Sequence, residues 1–193
     1  MPKAYYTIDM TSIEMWYVLL IIAEFVVLIS AFIYAIFMLR SWLGGSPYVG
    51  TKKSNIDHIL ENIDIPSGSR IYDLGCGDGR FLRSVANIQS IVGVGIDINP
   101  IVIFIARFLT RISKLKNITF IHGNIISADF SDADILYIYM FPALIEKLEN
   151  KILTNRLKPL MVISHGFKIH YLNKYFKKEI DRVTIKTYVY YIN

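Results

Sequence analysis

The sequence predicts an α/β protein: a doubly wound, seven-stranded, mostly parallel sheet with an antiparallel C-terminal edge hairpin, preceded by one N-terminal transmembrane helix. Three observations carry this. Between Met15 and Leu39 only Glu24 and Ser30 interrupt an apolar run. From Arg70 onward, short apolar runs alternate with segments of helical period, the pattern of a sheet covered by helices on both faces. Beyond Glu179 two strand-like runs follow with too little chain between them for a helix.

Hydrophobic residues make up 53% of the 193 and mean hydropathy is +0.40, too apolar for an ordinary soluble domain. The excess is local. After a short tail, residues 1–14, it lies in residues 15–40. A helix there rises roughly 37 Å, enough to cross a hydrocarbon core of about 30 Å with some tilt. Trp16 and Tyr17 flank one end and Arg40 and Trp42 the other, as interfacial residues do. A cleaved signal would need a shorter apolar core, a basic leader and a better cleavage site than Arg40-Ser41-Trp42. A buried core helix rarely stays apolar on every face over this length. Only Lys3 precedes the run, against Asp9 and Glu14, whereas Arg40, Lys52 and Lys53 follow it. That asymmetry predicts a single-pass membrane protein with its C-terminal domain on the cytoplasmic side.

Residues 41–50 (SWLGGSPYVG) read as a linker. Fully extended it spans about 35 Å at most, so the domain that follows, residues 51–193, stays near the bilayer. Residues 54–62 have helical period until Pro66-Ser67-Gly68-Ser69. Strands are predicted over 70–74, 91–97, 118–122, 133–139 and 160–164, and helices over 79–88, 100–115 and 142–153. The closing hairpin is predicted from strands over 180–185 and 187–192.

The formal charge is +5, but from Ser46 onward 19 basic residues stand against 13 acidic ones, +6 for the domain alone. Much of this lies in 107–116 and 168–178. Such a surface suits anionic lipid headgroups, acidic partners or nucleic acid, and equally a plain solvated face. The single cysteine, Cys76, excludes an internal disulfide and a Cys-rich zinc site, and no metal is expected.

The chemistry concentrates in Asp73-Leu74-Gly75-Cys76-Gly77-Asp78-Gly79-Arg80. A strand runs into a glycine-dense turn and then a helix, where glycines let backbone amides approach a ligand that any Cβ would repel. The spacing is G-x-G-x-G rather than the dinucleotide G-x-G-x-x-G, and the acid on the strand, Asp73, suits a cationic ligand better than a pyrophosphate. Asp97, about 20 residues on, ends the next strand, where an acid accepts hydrogen bonds from ribose hydroxyls. Gly123-Asn124 follows the third strand, placed to cap an adenine ring.

Together these elements resemble the seven-stranded, class I S-adenosylmethionine-dependent methyltransferases, whose fold is Rossmann-like. The resemblance implies that Asp73, Gly75 and Gly77 hold the methionine part of S-adenosyl-L-methionine, Asp97 the ribose and Asn124 the adenine side. Cys76 and Ile98, beside them, belong to the same cofactor-binding set. Cys76 reads as a small filler rather than a nucleophile. A nicotinamide-binding domain is the structural rival, disfavoured by the glycine spacing.

Three further segments narrow the resemblance: Pro47-Tyr48-Val49, Tyr139-Met140-Phe141-Pro142 and Val162-Ile163-Ser164-His165-Gly166-Phe167. With the glycine turn they are similar to the small protein-lysine methyltransferases: the archaeal broad-specificity enzymes, and the mitochondrial enzymes acting on ATP synthase c-subunit and adenine nucleotide translocase. Gly50 stands where those carry proline, and Asp97 where Glu is common. The resemblance implies methyl transfer to a lysine of a membrane-associated protein, with Tyr48, Tyr139, Phe141 and His165 lining the acceptor channel. Tyr139 serves as well for a core aromatic, and a hydrogen-bonded structural role suits His165 better than a general base. No N-P-P-Y element follows the fourth strand, which argues against an amide or nucleobase nitrogen as acceptor. The expected partners are therefore a protein presenting lysine and, through residues 15–40, the membrane; nucleic acid is not expected. The alternatives are a small-molecule or lipid methyltransferase, and a non-catalytic domain that binds the cofactor or nucleic acid.

Overall fold

The computed structural model describes residues 10–43, 50–181 and 185–193, and the chain divides into two compact units, Met1–Arg40 and Ser41–Asn193. The first is built on helix α1, Met10–Leu43, which begins before and ends after the predicted span of 15–40. Ser41, Trp42 and Leu43 tolerate a helix, and the strong breakers Gly44 and Gly45 come only after them. Over Glu14–Ile36 the mean hydropathy is 2.7 with none of the stretch buried, and among the described residues it is the one helix long and apolar enough to cross a membrane. Ser30 Oγ donates to Val26 O at 2.7 Å, which satisfies its hydroxyl inside the helix.

The second unit is an α/β domain. Its strands are β1 (Arg70–Leu74), β2 (Val92–Asp97), β3 (Ile118–His122), β4 (Ile135–Ile138), β5 (Leu160–His165), β6 (Phe176–Ile180) and β7 (Thr187–Ile192). They form one sheet in the order β3-β2-β1-β4-β5-β7-β6. The pairings among the first five are parallel, and β7 runs antiparallel to both β5 and β6. Ile71, Leu74, Leu136, Ile138, Val162 and Ile163 are fully buried because both faces of the sheet are covered. Helices α2 (Lys53–Glu61), α3 (Arg80–Ile88) and α4 (Pro100–Ile112) supply Ile56, Ile59, Phe81, Leu82 and Ile103 to one core. Helices α5 (Pro142–Glu146) and α6 (Glu149–Thr154), with a 3-10 turn over His170–Tyr175, supply Ile145, Leu148, Ile152 and Leu172 to the other.

Several predicted boundaries move: the helix predicted over 100–115 ends at Ile112, before Lys114 turns left-handed at φ 55°. The sixth strand lies at Phe176–Ile180 and not over 180–185, with four of its five residues exposed. It is an edge strand carrying Lys177, Lys178 and Glu179, and charges of this kind protect an open edge while hiding the strand from a hydropathy reading. The helix predicted over 142–153 divides into α5 and α6, where Leu148 turns fully into the core. The fourth strand starts later than predicted because the Asp134 carboxylate accepts from Arg70 N at 2.7 Å instead of lying in the strand. Strand order reverses between β1 and its neighbours β2 and β4, which opens a crevice at their C-terminal ends, where open α/β sheets bind ligands.

Candidate active site

The loop after β1 is shaped by three left-handed glycines, Gly75, Gly77 and Gly79, at φ 78°, 53° and 74°. Gly75 N and Cys76 N both donate to Ile96 O, at 2.8 and 3.1 Å, which ties the loop to the end of β2. The Asp97 carboxylate completes the tie: one oxygen accepts from Gly77 N at 2.9 Å and the other from Asn99 N at 2.8 Å. A carboxylate has about four lone-pair sites, and with Ile98 N as a third backbone donor about one remains for a ligand. Burial raises the Asp97 pKa in spite of these backbone donors. Gly123 N donates to Asp97 O at 2.9 Å, bringing the next turn alongside. There Asn124 Oδ1 accepts from Ile126 N at 2.9 Å.

Asp73, on β1, is 3% exposed. Its carboxyl makes no hydrogen bond among the described residues. Burial, and then the Asp97 and Asp78 charges, push its pKa well above the usual carboxylate range. Burial likewise pushes the Cys76 thiol up, leaving it an inert filler.

These groups surround a cavity of about 340 Å³, within the range of roughly 300–1,000 Å³ of small-molecule sites. All seven cofactor-binding candidates, Asp73, Gly75, Cys76, Gly77, Asp97, Ile98 and Asn124, line it. Asp73, whose carboxyl makes no hydrogen bond among the described residues, the Asp97 carboxylate and the apolar side chains of Val102, Ile125 and Ile126 share this cavity, a lining that fits a cationic adenosyl ligand.

The acceptor candidates separate. Tyr139 lines the cavity, while His165 is buried behind it, the two rings edge to face at 4.7 Å. His165 Nδ1 lies 2.8 Å from Thr187 Oγ1, and Nε2 has no partner among the described residues. Burial pushes its pKa down to about 4, so the ring is neutral at pH 7. Phe141 is exposed just before α5, beside Phe167 at 5.9 Å, and is not in the cavity lining. Tyr48 lies outside the described residues.

Sequence reasoning missed several lining residues. Tyr137, two positions before Tyr139 on β4, also faces the cavity; a period of two was the available signal. Its ring stacks on Phe81 at 3.6 Å, and its hydroxyl lies 3.2 Å from Thr51 Oγ1. Arg80 was also missed. Its guanidinium donates twice to the Asp78 carboxylate, both at 2.9 Å, and to Thr51 O at 3.2 Å. Burial alone would raise the Asp78 pKa, but the Arg80 bonds and charge outweigh it and hold the carboxyl below its usual range. A Cβ on Gly50 would meet Arg80 Nη1 at 2.8 Å, so this glycine lets the chain enter the domain against the guanidinium.

Comparison with known proteins agrees with the geometry. The ANTKMT methyltransferase domain family matches residues 73–175. Over 161 residues the chain is 30% identical to a protein-lysine N-methyltransferase of Saccharolobus islandicus, covering 79% of this chain and 97% of that protein. An RNA methyltransferase from Salinibacter ruber, solved with S-adenosyl-L-homocysteine, superposes with a TM-score of 0.69 at 28% identity, over 75% of this chain and 94% of that one. A methyltransferase from Thiobacillus denitrificans, also with S-adenosyl-L-homocysteine, shares the fold at a TM-score of 0.52 and 21% identity, over 59% and 48% of the two chains. The chain belongs to the ANTKMT methyltransferase domain family and is an S-adenosylmethionine-dependent methyltransferase.

Proposed function

We propose that the acceptor is the ε-amine of a lysine on a protein at the membrane. One observation carries the reading most: the cavity lined by Asp73 is also lined by two tyrosines, Tyr137 and Tyr139. Likeness to a protein-lysine methyltransferase across 97% of its length supports the same acceptor.

In this reading Asp73, Gly75 and Gly77 hold the methionine part, Asp97 the ribose, and the Asn124 turn the adenine, with Cys76 and Ile98 filling the walls. S-adenosylmethionine supplies, when bound, a methyl group activated on a sulfonium sulfur. The chain's own task is positioning and dehydration. A lysine ammonium reaching the cavity passes tyrosine faces that attract a cation. Desolvation there lowers its pKa, so that it gives its proton to water and presents a lone pair. Tyr139 orients the amine. The neutral, buried His165 holds Tyr139 in place and takes no proton. Tyr48 keeps the acceptor-channel role that the resemblance implies, and Phe141, exposed outside the cavity lining, meets the acceptor chain before it enters. Helix α1 anchors the protein as a single-pass span, with the domain, residues 51–193, on the cytoplasmic side.

Incubation of the full chain with a total membrane fraction and methyl-labelled cofactor tests this. The expected result is label on lysine of a membrane protein, mapped by mass spectrometry. Label confined to lipid would move the assignment to a lipid methyltransferase. Label confined to RNA would instead align the chain with the Salinibacter ruber RNA methyltransferase.

A further inference from the structure

Helix α4 is apolar on two opposite faces. Ile103, Ala106 and Thr110 are buried and hold it to the sheet. At 100° per residue the opposite side carries Ile101, Phe104, Ile105, Phe108 and Ile112, which are 39%, 69%, 38%, 52% and 61% exposed. A helix apolar all round belongs in a core or against a membrane, and contiguous exposed apolar surface marks an interaction site.

The charges beside this stripe choose the occupant. No acidic residue occurs between Asp97 and Asp129, while Arg107, Arg111, Lys114 and Lys116 do. All four are exposed, and none is in an ion pair among the described residues. Arg107 also donates to Phe120 O at 3.1 and 2.6 Å, anchoring its head beside the edge strand. Apolar side chains bordered by unpaired cations are the makeup of a helix lying in the headgroup layer of an anionic bilayer. A second copy fits poorly, because a two-fold interface would set the same cluster against itself.

We infer that the outer face of α4 docks on an anionic phospholipid surface, with Phe104 and Phe108 in the acyl boundary and Arg111, Lys114 and Lys116 on the headgroups. This rests on reading α1 as a membrane span and is independent of which acceptor is methylated. Its consequence is positional: Ile98, Asn99 and Val102, at the start of α4, line the cavity. Docking brings that rim to headgroup level, where a lysine just outside the bilayer lies.

The test uses the full chain reconstituted into vesicles of phosphatidylcholine, or of phosphatidylcholine mixed with phosphatidylserine. A polarity-sensitive fluorophore is attached at Phe108→Cys, at Phe104→Cys or, as reference, at Asn155→Cys. All three positions are exposed, so labelling leaves the core intact, and the buried Cys76 stays unlabelled. The expected result is blue-shifted emission at 104 and 108, quenched by spin-labelled lipid, with position 155 open to aqueous iodide. Each basic residue near such a surface gives about a fivefold gain in partitioning (about 1 kcal/mol). The triple reversal Arg111→Glu, Lys114→Glu, Lys116→Glu therefore lowers the docked-to-undocked ratio at least tenfold. Iodide access at 104 and 108 equal to that at 155 overturns the proposal. So does protection without lipid quenching, which would mean that a protein covers the face.

Discussion

Asp73→Asn separates the cost of the site from its use. The carboxyl is 3% exposed, makes no hydrogen bond among the described residues, and burial with two neighbouring acids raises its pKa. An unpaired buried polar group costs about 1–3 kcal/mol, more if charged. The amide keeps the shape and loses the charge, so the ligand-free variant should gain roughly 1 kcal/mol at pH 7, a rise in Tm of about 2–4 °C for a domain of this size. The pH dependence follows from the sign. The folded state holds the Asp73 proton more tightly than the unfolded state, whose value stays near 3.8. Wild-type stability therefore falls as pH rises from there through the raised folded pKa. The Tm gap should vanish at the acid end of that window and be complete above it. Cofactor affinity moves oppositely: losing a hydrogen bond to a charged group removes about 1.5–3 kcal/mol, roughly 10- to 150-fold. Scanning and titration calorimetry on the full chain in detergent measure both. A variant with lower Tm and unchanged affinity for S-adenosylmethionine would mean that Asp73 is paired within the protein and does not await a cation.

Asp97→Ala should weaken S-adenosylmethionine binding at least tenfold by titration calorimetry and also lower Tm, because the same carboxylate holds Gly77 N and Asn99 N; unchanged affinity would remove the ribose role. His165→Phe should keep the methylation rate within about fivefold and lower the unfolding free energy by about 1–3 kcal/mol, as Thr187 Oγ1 loses its partner; a thousandfold loss of rate would restore a general base. Its folded pKa lies near 4 against an ordinary 6.5, so the stability it contributes above pH 6.5 is lost as pH falls toward 4, a decline the variant should lack. Tyr48→Ala should cut turnover with cofactor affinity nearly unchanged; parallel loss of both would put Tyr48 against the cofactor.

That the seven candidates would share one cavity was legible because their signal is local. Glycine spacing, the acid before it and the acid one strand later are read along the chain, and the parallel sheet brings their strand ends together. The acceptor half depends on depth, which spacing does not encode. His165 and Tyr139 both sit at strand ends, yet one lies behind the other, and only the packing of β5 against β7 through Thr187 makes that so. Arg80 was illegible for another reason: its partners are Asp78, two residues away, and Thr51, twenty-nine residues away. The edge strand β6 escaped because its charges serve the open edge of the sheet rather than a core.

The glycines of one motif have different causes, and this bears on how the site is built. A Cβ on Gly75 would find nothing nearer than Met140 Cε at 3.8 Å, so the residue is glycine for its left-handed backbone and leaves room in the cavity. A Cβ on Gly79 would lie 2.3 Å from Phe120 Cζ, and no rotation of the ring in a packed core absorbs that. Gly95, on β2, is closed in the same way, by Phe120 at 2.6 Å and Cys76 Sγ at 2.8 Å. Phe120 is thus a wedge under the loop, admitted by two glycines from separate strand-loop units, with Cys76 as its small neighbour. Arg107 holds the Phe120 carbonyl from outside. The glycine loop that lines the cavity therefore rests on the edge strand β3, and α4 braces that strand.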